Sequence, residues 1–288
     1  MHATHGTESA GNGARIGPYE TLAALGKTES GGTFLARDTR TGNRVVVKTL
    51  DTIDVGSNPA KQELGRRFRR ETEACACLSH DAILRVLETG QADGRCWASY
   101  EYFDGQSAAD YALPYQLLPV HQVLALVASV AEGLDHAHRR DVIHRNIKPG
   151  NLLVDAARRQ VKIMDFGFSK VVDTHVSRTG LVLGTPSYKS PEQLAARDVT
   201  GASDLFSLGV TLYQLLTGRL PFEAESMVGL MQSIVQQPHE TASRARPGLS
   251  ADLDAVIDRA LEKHPGDRYA HCGDMAAALR NVAGALAA

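Results

Sequence analysis

The sequence is poor in the residues that disulfide, metal or membrane chemistry would need. Its 288 residues hold four cysteines, Cys75, Cys77, Cys96 and Cys272, with neither paired metal-ligand spacing nor the density of a disulfide scaffold. Reduced thiols in a cytoplasmic setting are therefore expected. An excess of one charge is missing too: 31 Lys and Arg stand against 33 Asp and Glu. That balance gives no field for nucleic acid or an anionic membrane, so any phosphate site must be local. The longest apolar stretch, 123–131, is far too short to cross a bilayer. The start lacks the apolar core of a signal peptide and reads as a polar tail; His2 and His5 could touch metal, but a disordered tail is the favoured reading. No internal repeat is visible.

What is present suits a soluble globular protein: 43% hydrophobic and 22% charged residues. The length exceeds a single hydrophobic core, which points to two lobes sharing one cleft. Strand-like segments come first and long helical patterns follow. The expected fold class is α+β and bilobal: a tail over 1–18, a small, mostly antiparallel sheet lobe with one main helix over 19–102, and a larger, mainly helical lobe over 103–288. Strands are expected at 19–26, 33–37, 44–50, 83–89 and 96–103. A helix over 66–78 sets Phe68, Glu71, Cys75 and Leu78 on one face. Further helices are expected at 120–138, 203–217, 226–235, 253–262 and 273–283. Within the helical part, a hairpin pairs 152–154 with 161–164 and leaves Asn151 almost opposite Asp165. A carbonyl and a carboxylate oxygen at one point suit a hard cation such as Mg²⁺.

Asp165-Phe166-Gly167 follows His144-Arg145-Asn146-Ile147-Lys148-Pro149-Gly150-Asn151. Around them stand Val47-Lys48, Glu71, Gly184-Thr185-Pro186-Ser187-Tyr188, Ser190-Pro191-Glu192, Asp204-Leu205-Phe206-Ser207-Leu208-Gly209 and Arg268. In this order and spacing the chain, over roughly 19–283, resembles a bacterial Ser/Thr (Hanks-type) protein kinase catalytic domain. The resemblance implies ATP with Mg²⁺ or Mn²⁺ as cofactors and protein Ser/Thr acceptors as substrates. It also implies a role for each matching residue: Lys48 on the α- and β-phosphates, Glu71 fixing Lys48, and Asn151 and Asp165 on the metal. Lys148 would neutralise charge on the transferred phosphoryl group, with Thr185 supporting it and shaping the acceptor pocket. Taken alone, Lys48 and Glu71 also fit an ordinary surface lysine and a solvated glutamate.

The turn containing Gly26, Lys27, Thr28, Gly31 and Thr33 occupies the place of the glycine-rich phosphate loop, but Thr28 replaces its second glycine and Thr33 its valine. The same residues fit a plain hairpin turn. Tyr100 falls at the back of the nucleotide pocket or packs between lobes, and Glu101 to Phe103 would offer adenine their backbone groups. Thr174, Ser177 and Thr179 are candidate phosphosites, Thr179 first among them, with Arg145 available to pair a phosphate. Self-association for trans-autophosphorylation fits such a loop.

Asn146 stands where the family has the Asp that accepts the substrate's proton. An amide keeps the shape and loses the base, a change expected to slow transfer about 10²- to 10⁴-fold. Two explanations fit: an active kinase disabled by an engineered Asp→Asn change, or a natural pseudokinase that senses nucleotide or scaffolds partners. Retention of Lys48, Glu71, Lys148, Asn151, Asp165 and Thr185 favours the first. Small-molecule phosphotransfer is disfavoured because 184–192 resembles the surface that takes an extended protein substrate.

Overall fold

Through 31–38 and 44–49 every second residue is more deeply buried than its neighbours, even where apolar residues follow one another, as in Val45-Val46-Val47, as pleated strands demand. The computed structural model describes residues 13–28, 31–51, 59–92, 94–166 and 186–287, and the chain divides into two units.

The first unit takes residues up to Cys77 together with Arg85–Tyr102. Strands β1 (Arg15–Ile16), β2 (Tyr19–Thr28), β3 (Gly31–Asp38), β4 (Arg44–Asp51), β5 (Val86–Ala92) and β6 (Arg95–Glu101) form one sheet. Its order is β1-β2-β3-β4-β6-β5, with every pair antiparallel. One face carries Ile16, Tyr19, Phe34, Ala36, Val45, Val47 and Trp97 as a core. Helix α1 (Pro59–Ala76) packs on β5 and β6. Cys96 Sγ reaches the Gly65 carbonyl at 3.9 Å, and Cys96 shares its face with Ala98 and, through the β4–β6 register, with Lys48. The expected tail over 1–18 is corrected over its last residues: Ile16 is 3% exposed and its strand pairs with β2. Burying Ile16 against Tyr19 and Trp97 gives that short edge its reason to order.

The second unit takes Leu78–Leu84 and everything from Phe103. It contains strands β7 (Gln106–Ser107), β8 (Leu152–Asp155) and β9 (Gln160–Ile163). Its helices are α2 (Val120–His138), α3 (Pro191–Leu194), α4 (Gly201–Thr217), α5 (Met227–Gln236), α6 (Ala242–Ala245), α7 (Ala251–Ala260) and α8 (Cys272–Ala287). Helix α4 is the axis of the core, with fourteen of its residues buried, and α2 packs on both α4 and α8. The expected strand over 83–89 begins later, at Val86. Ahead of it the chain runs along β9: Ile163 donates to the Ala82 carbonyl at 2.7 Å, and Leu84 donates to Ile163 at 3.0 Å. Among the described residues no helix is long and apolar enough to cross a membrane.

Candidate functional site

In the sheet unit, Gly26 pairs with Thr33, Thr33 with Lys48, and Lys48 with Ala98. A row of four residues on adjacent strands thus carries three of the expected nucleotide-binding positions, each about 5 Å from the next. Lys48 is half-buried, with Nζ 6.0 Å from the centroid of the buried Tyr100 ring. Glu71, on α1, keeps 15% of its side chain exposed and lies 3.3 Å from Arg70. The turn is tight: Lys27 pairs with Gly32 and Thr28 with Gly31. A Cβ on Gly31 would sit 1.9 Å from the Thr49 carbonyl oxygen, so only glycine fits. The Gly32 N–H is bonded to Thr49 Oγ1 at 3.0 Å, whereas a Cβ on Gly26 would meet nothing within 4 Å. Glu101 is held by Arg85, whose N–H donates to Glu101 Oε1 at 3.1 Å and whose carbonyl accepts from the Glu101 N–H at 3.0 Å.

In the helical unit, four hydrogen bonds close a ring. The Asn146 N–H donates to His144 Nδ1 (3.2 Å), and His144 Nε2 donates to the Met164 carbonyl (2.7 Å). The Met164 N–H donates to the Asn151 carbonyl (2.9 Å), and Asn151 Nδ2 donates to the Asn146 carbonyl (2.7 Å). His144 is thereby a neutral imidazole of fixed tautomer; burial holds its pKa below the ordinary value, against the pull of Asp204. Phe166 packs edge-on against it, 4.7 Å between ring centroids. With Nδ2 committed to Asn146, the Asn151 side chain has its carbonyl oxygen left as the ligand-type atom. Asp165 follows the ring directly, in the left-handed region at φ 66°. An amide oxygen and a carboxylate form the donor set Mg²⁺ accepts when phosphates and water complete its shell. Among the described residues no group of three or more His, Cys, Asp or Glu gathers to hold a metal without such help.

A buried carboxylate fixes the same loop from below. Asp204, near the start of α4, accepts from the His144 N–H (2.8 Å), the Arg145 N–H (2.7 Å) and His138 Nε2 (2.8 Å). Burial pushes its pKa up, but His138 and His144 outweigh that and hold it below the usual carboxylate range. Arg145 sits at φ 68°, a costly conformation that these bonds hold in place.

Glu192 and Arg268, both noted in the sequence without partners, form a buried bidentate pair at 2.8 and 2.9 Å. Asp204, His138 and Gln193 escaped sequence reasoning as loop supports; for Asp204 its place in the Asp204-to-Gly209 motif was the available signal. Lys148 precedes a 3₁₀ turn at Pro149–Asn151. Phe103 lies beyond β6, its carbonyl accepting from the Gly105 N–H at 3.1 Å. Thr174, Ser177, Thr179 and Thr185 fall outside the described residues.

Residues 19–280 match the family model of the protein kinase domain. The chain is 36% identical over 270 residues to the serine/threonine-protein kinase PknB of Mycobacterium leprae, covering 92% of this chain and 43% of that protein. It is 35% identical over 278 residues to Pkn1 of Myxococcus xanthus, covering 94% and 38%. PknJ of Mycobacterium tuberculosis is 36% identical over 270 residues, with 92% and 45% covered. The chain thus spans about two fifths of the length of these relatives.

Proposed function

We propose, from the premise that this chain belongs to the protein kinase domain family, that it is a Ser/Thr protein kinase domain whose proton-accepting position is occupied by Asn146. The observation that carries this reading is the closed ring joining Asn146, His144, Asn151 and Met164. A backbone ordered so closely around an amide is the frame in which a carboxylate of the same shape would meet a substrate hydroxyl.

In the proposed reaction the acceptor's Ser or Thr oxygen forms a bond to the γ-phosphorus of ATP as the bond to the bridging oxygen breaks, releasing ADP. The hydroxyl proton must leave. A carboxylate at position 146 takes it, and the Asn146 amide does not. Lys48 holds the α- and β-phosphates, Glu71 steadies Lys48, and Lys148 with Thr185 serves the transferred group. Mg²⁺ on Asn151 and Asp165 would supply charge neutralisation to the phosphates. Gly26, with nothing to crowd it, gives a phosphate room beside the turn of Lys27, Thr28, Gly31 and Thr33, while Glu101 and Phe103 serve the base. Substrates are proteins with Ser or Thr acceptors, a second copy of the chain among them, phosphorylated at Thr174, Ser177 or Thr179. Need for ATP, and four cysteines with neither paired metal-ligand spacing nor the density of a disulfide scaffold, support a cytoplasmic setting.

The test compares the chain with its Asn146→Asp variant, using labelled ATP, Mg²⁺ and a basic protein acceptor. Incorporation should rise by about 10²- to 10⁴-fold. A silent variant that ATP and Mg²⁺ nevertheless stabilise against heat would favour the nucleotide-sensing pseudokinase; one that neither reacts nor gains stability would overturn both readings.

A further inference from the structure

The peptide linking Arg145 to Asn146 is held at both of its polar ends. Its N–H donates to His144 Nδ1 at 3.2 Å. Its carbonyl oxygen, on Arg145, accepts from Gln193 Nε2 at 2.9 Å and, at a longer 3.3 Å, from Lys189 Nζ. Gln193 is the third residue of α3, and its other amide atom is in use as well. Its Oε1 accepts from the Ser190 N–H (3.0 Å) and the Ser190 hydroxyl (3.3 Å), while its own N–H reaches Ser190 Oγ at 3.4 Å, closing a capping box. Two donors on one side and a carbonyl on the other admit a single orientation of the amide.

A capping box needs only an acceptor at its third position, and Glu serves it as well as Gln. The donor Nε2 is therefore surplus to the helix and is spent on the loop. We infer that Gln193 is a positioning residue for phosphoryl transfer: it ties the peptide plane carrying residue 146 to the segment 186–193, so that the acceptor-side surface and the catalytic loop hold one register. The inference rests on the kinase reading for its consequence, though the geometry stands without it. Arg145 at φ 68° is where such a tie has most effect, because a left-handed residue relaxes once its peptide is released.

The experiment separates cap from tie. Gln193→Glu keeps an acceptor for Ser190 and sets a carboxylate against the Arg145 carbonyl; Gln193→Ala removes both functions. On the Asn146→Asp chain, both variants should lower kcat by roughly tenfold, with the KM for ATP unchanged. On the chain as it stands, both should speed hydrogen exchange of the Asn146 amide, a reading that needs no activity. Should the Glu variant fail to fold, Ser190→Ala takes its place, since it removes the cap hydroxyl and keeps the Nε2 tie; exchange sped as much by Ser190→Ala as by Gln193→Ala would overturn the inference. If Gln193→Glu matches the parent in exchange while Gln193→Ala does not, the side chain serves the cap alone and the inference fails. If neither variant alters exchange, it fails too. Should the Asn146→Asp chain prove inactive, the kinase reading falls and exchange alone decides the role of Gln193.

Discussion

Arg268 has a side chain with no exposure at all, and its guanidinium spends every direction it has. It meets Glu192 twice and the carbonyls of Ala202, Glu262 and Lys263. Burial pushes the Glu192 pKa up, and the bonds from Arg268 and Ser203 bring it below its ordinary value. Breaking such a pair from one side leaves a buried charge without its counterion, so Glu192→Gln should cost about 3–5 kcal/mol in urea unfolding. Replacing both residues by apolar ones, as in Glu192→Leu with Arg268→Met, should cost less than the single change; a double variant as unstable as the two losses added would contradict this. Both residue types were legible as parts of motifs. Their partnership was not, because it spans 76 residues and no local pattern announces which carboxylate a distant arginine will meet. The ring around Asn146 was half legible, since a hairpin placed Asn151 near Asp165, whereas the clamp from Asp204 depended on packing of α4.

Helix α4 shows how far an element can be read from local chemistry. Its apolar run ends at Thr217, and Gly218 takes the left-handed C-cap at φ 74°, its N–H bonded to the Gln214 carbonyl at 2.7 Å. Any Cβ there would lie 2.7 Å from the Pro114 backbone. Gly218→Ala should therefore destabilise by more than the ~1 kcal/mol of an open left-handed site, and thermal unfolding of that variant matching the parent would refute the argument. The first helix was harder to delimit. Its expected start at 66 lies seven residues past the observed Pro59, because 59–65 has no apolar period and ends in Gly65, a residue buried by tertiary contact with Cys96. Two-residue strands such as β1 carry no period at all, and only pairing defines them.

At the scale of the whole chain, acid should weaken the native state well above the carboxylate range. Among the described residues three imidazoles have lowered pKa values: His144 and His239 through burial, opposed by Asp204 and Asp258 respectively, and His136 through burial aided by Arg140. In the unfolded chain the same groups titrate near ~6.5. Unfolding therefore takes up protons below that pH: the stability these groups confer is complete above about 6.5 and is lost as pH falls through it toward the folded values. Each can contribute a slope of at most about 1.4 kcal/mol per pH unit, His136 the least. Asp204 and Glu192, with pKa values lowered in the folded state, act in the same direction but only nearer pH 4, so the acid limb should have two steps. Urea unfolding between pH 8 and 5 checks the first; a flat profile over that range would mean that the imidazoles take up protons without unfolding. His144→Asn should remove the His144 share of that step, because burial of its ring, against the pull of Asp204 and the Met164 carbonyl, is what keeps the proton off.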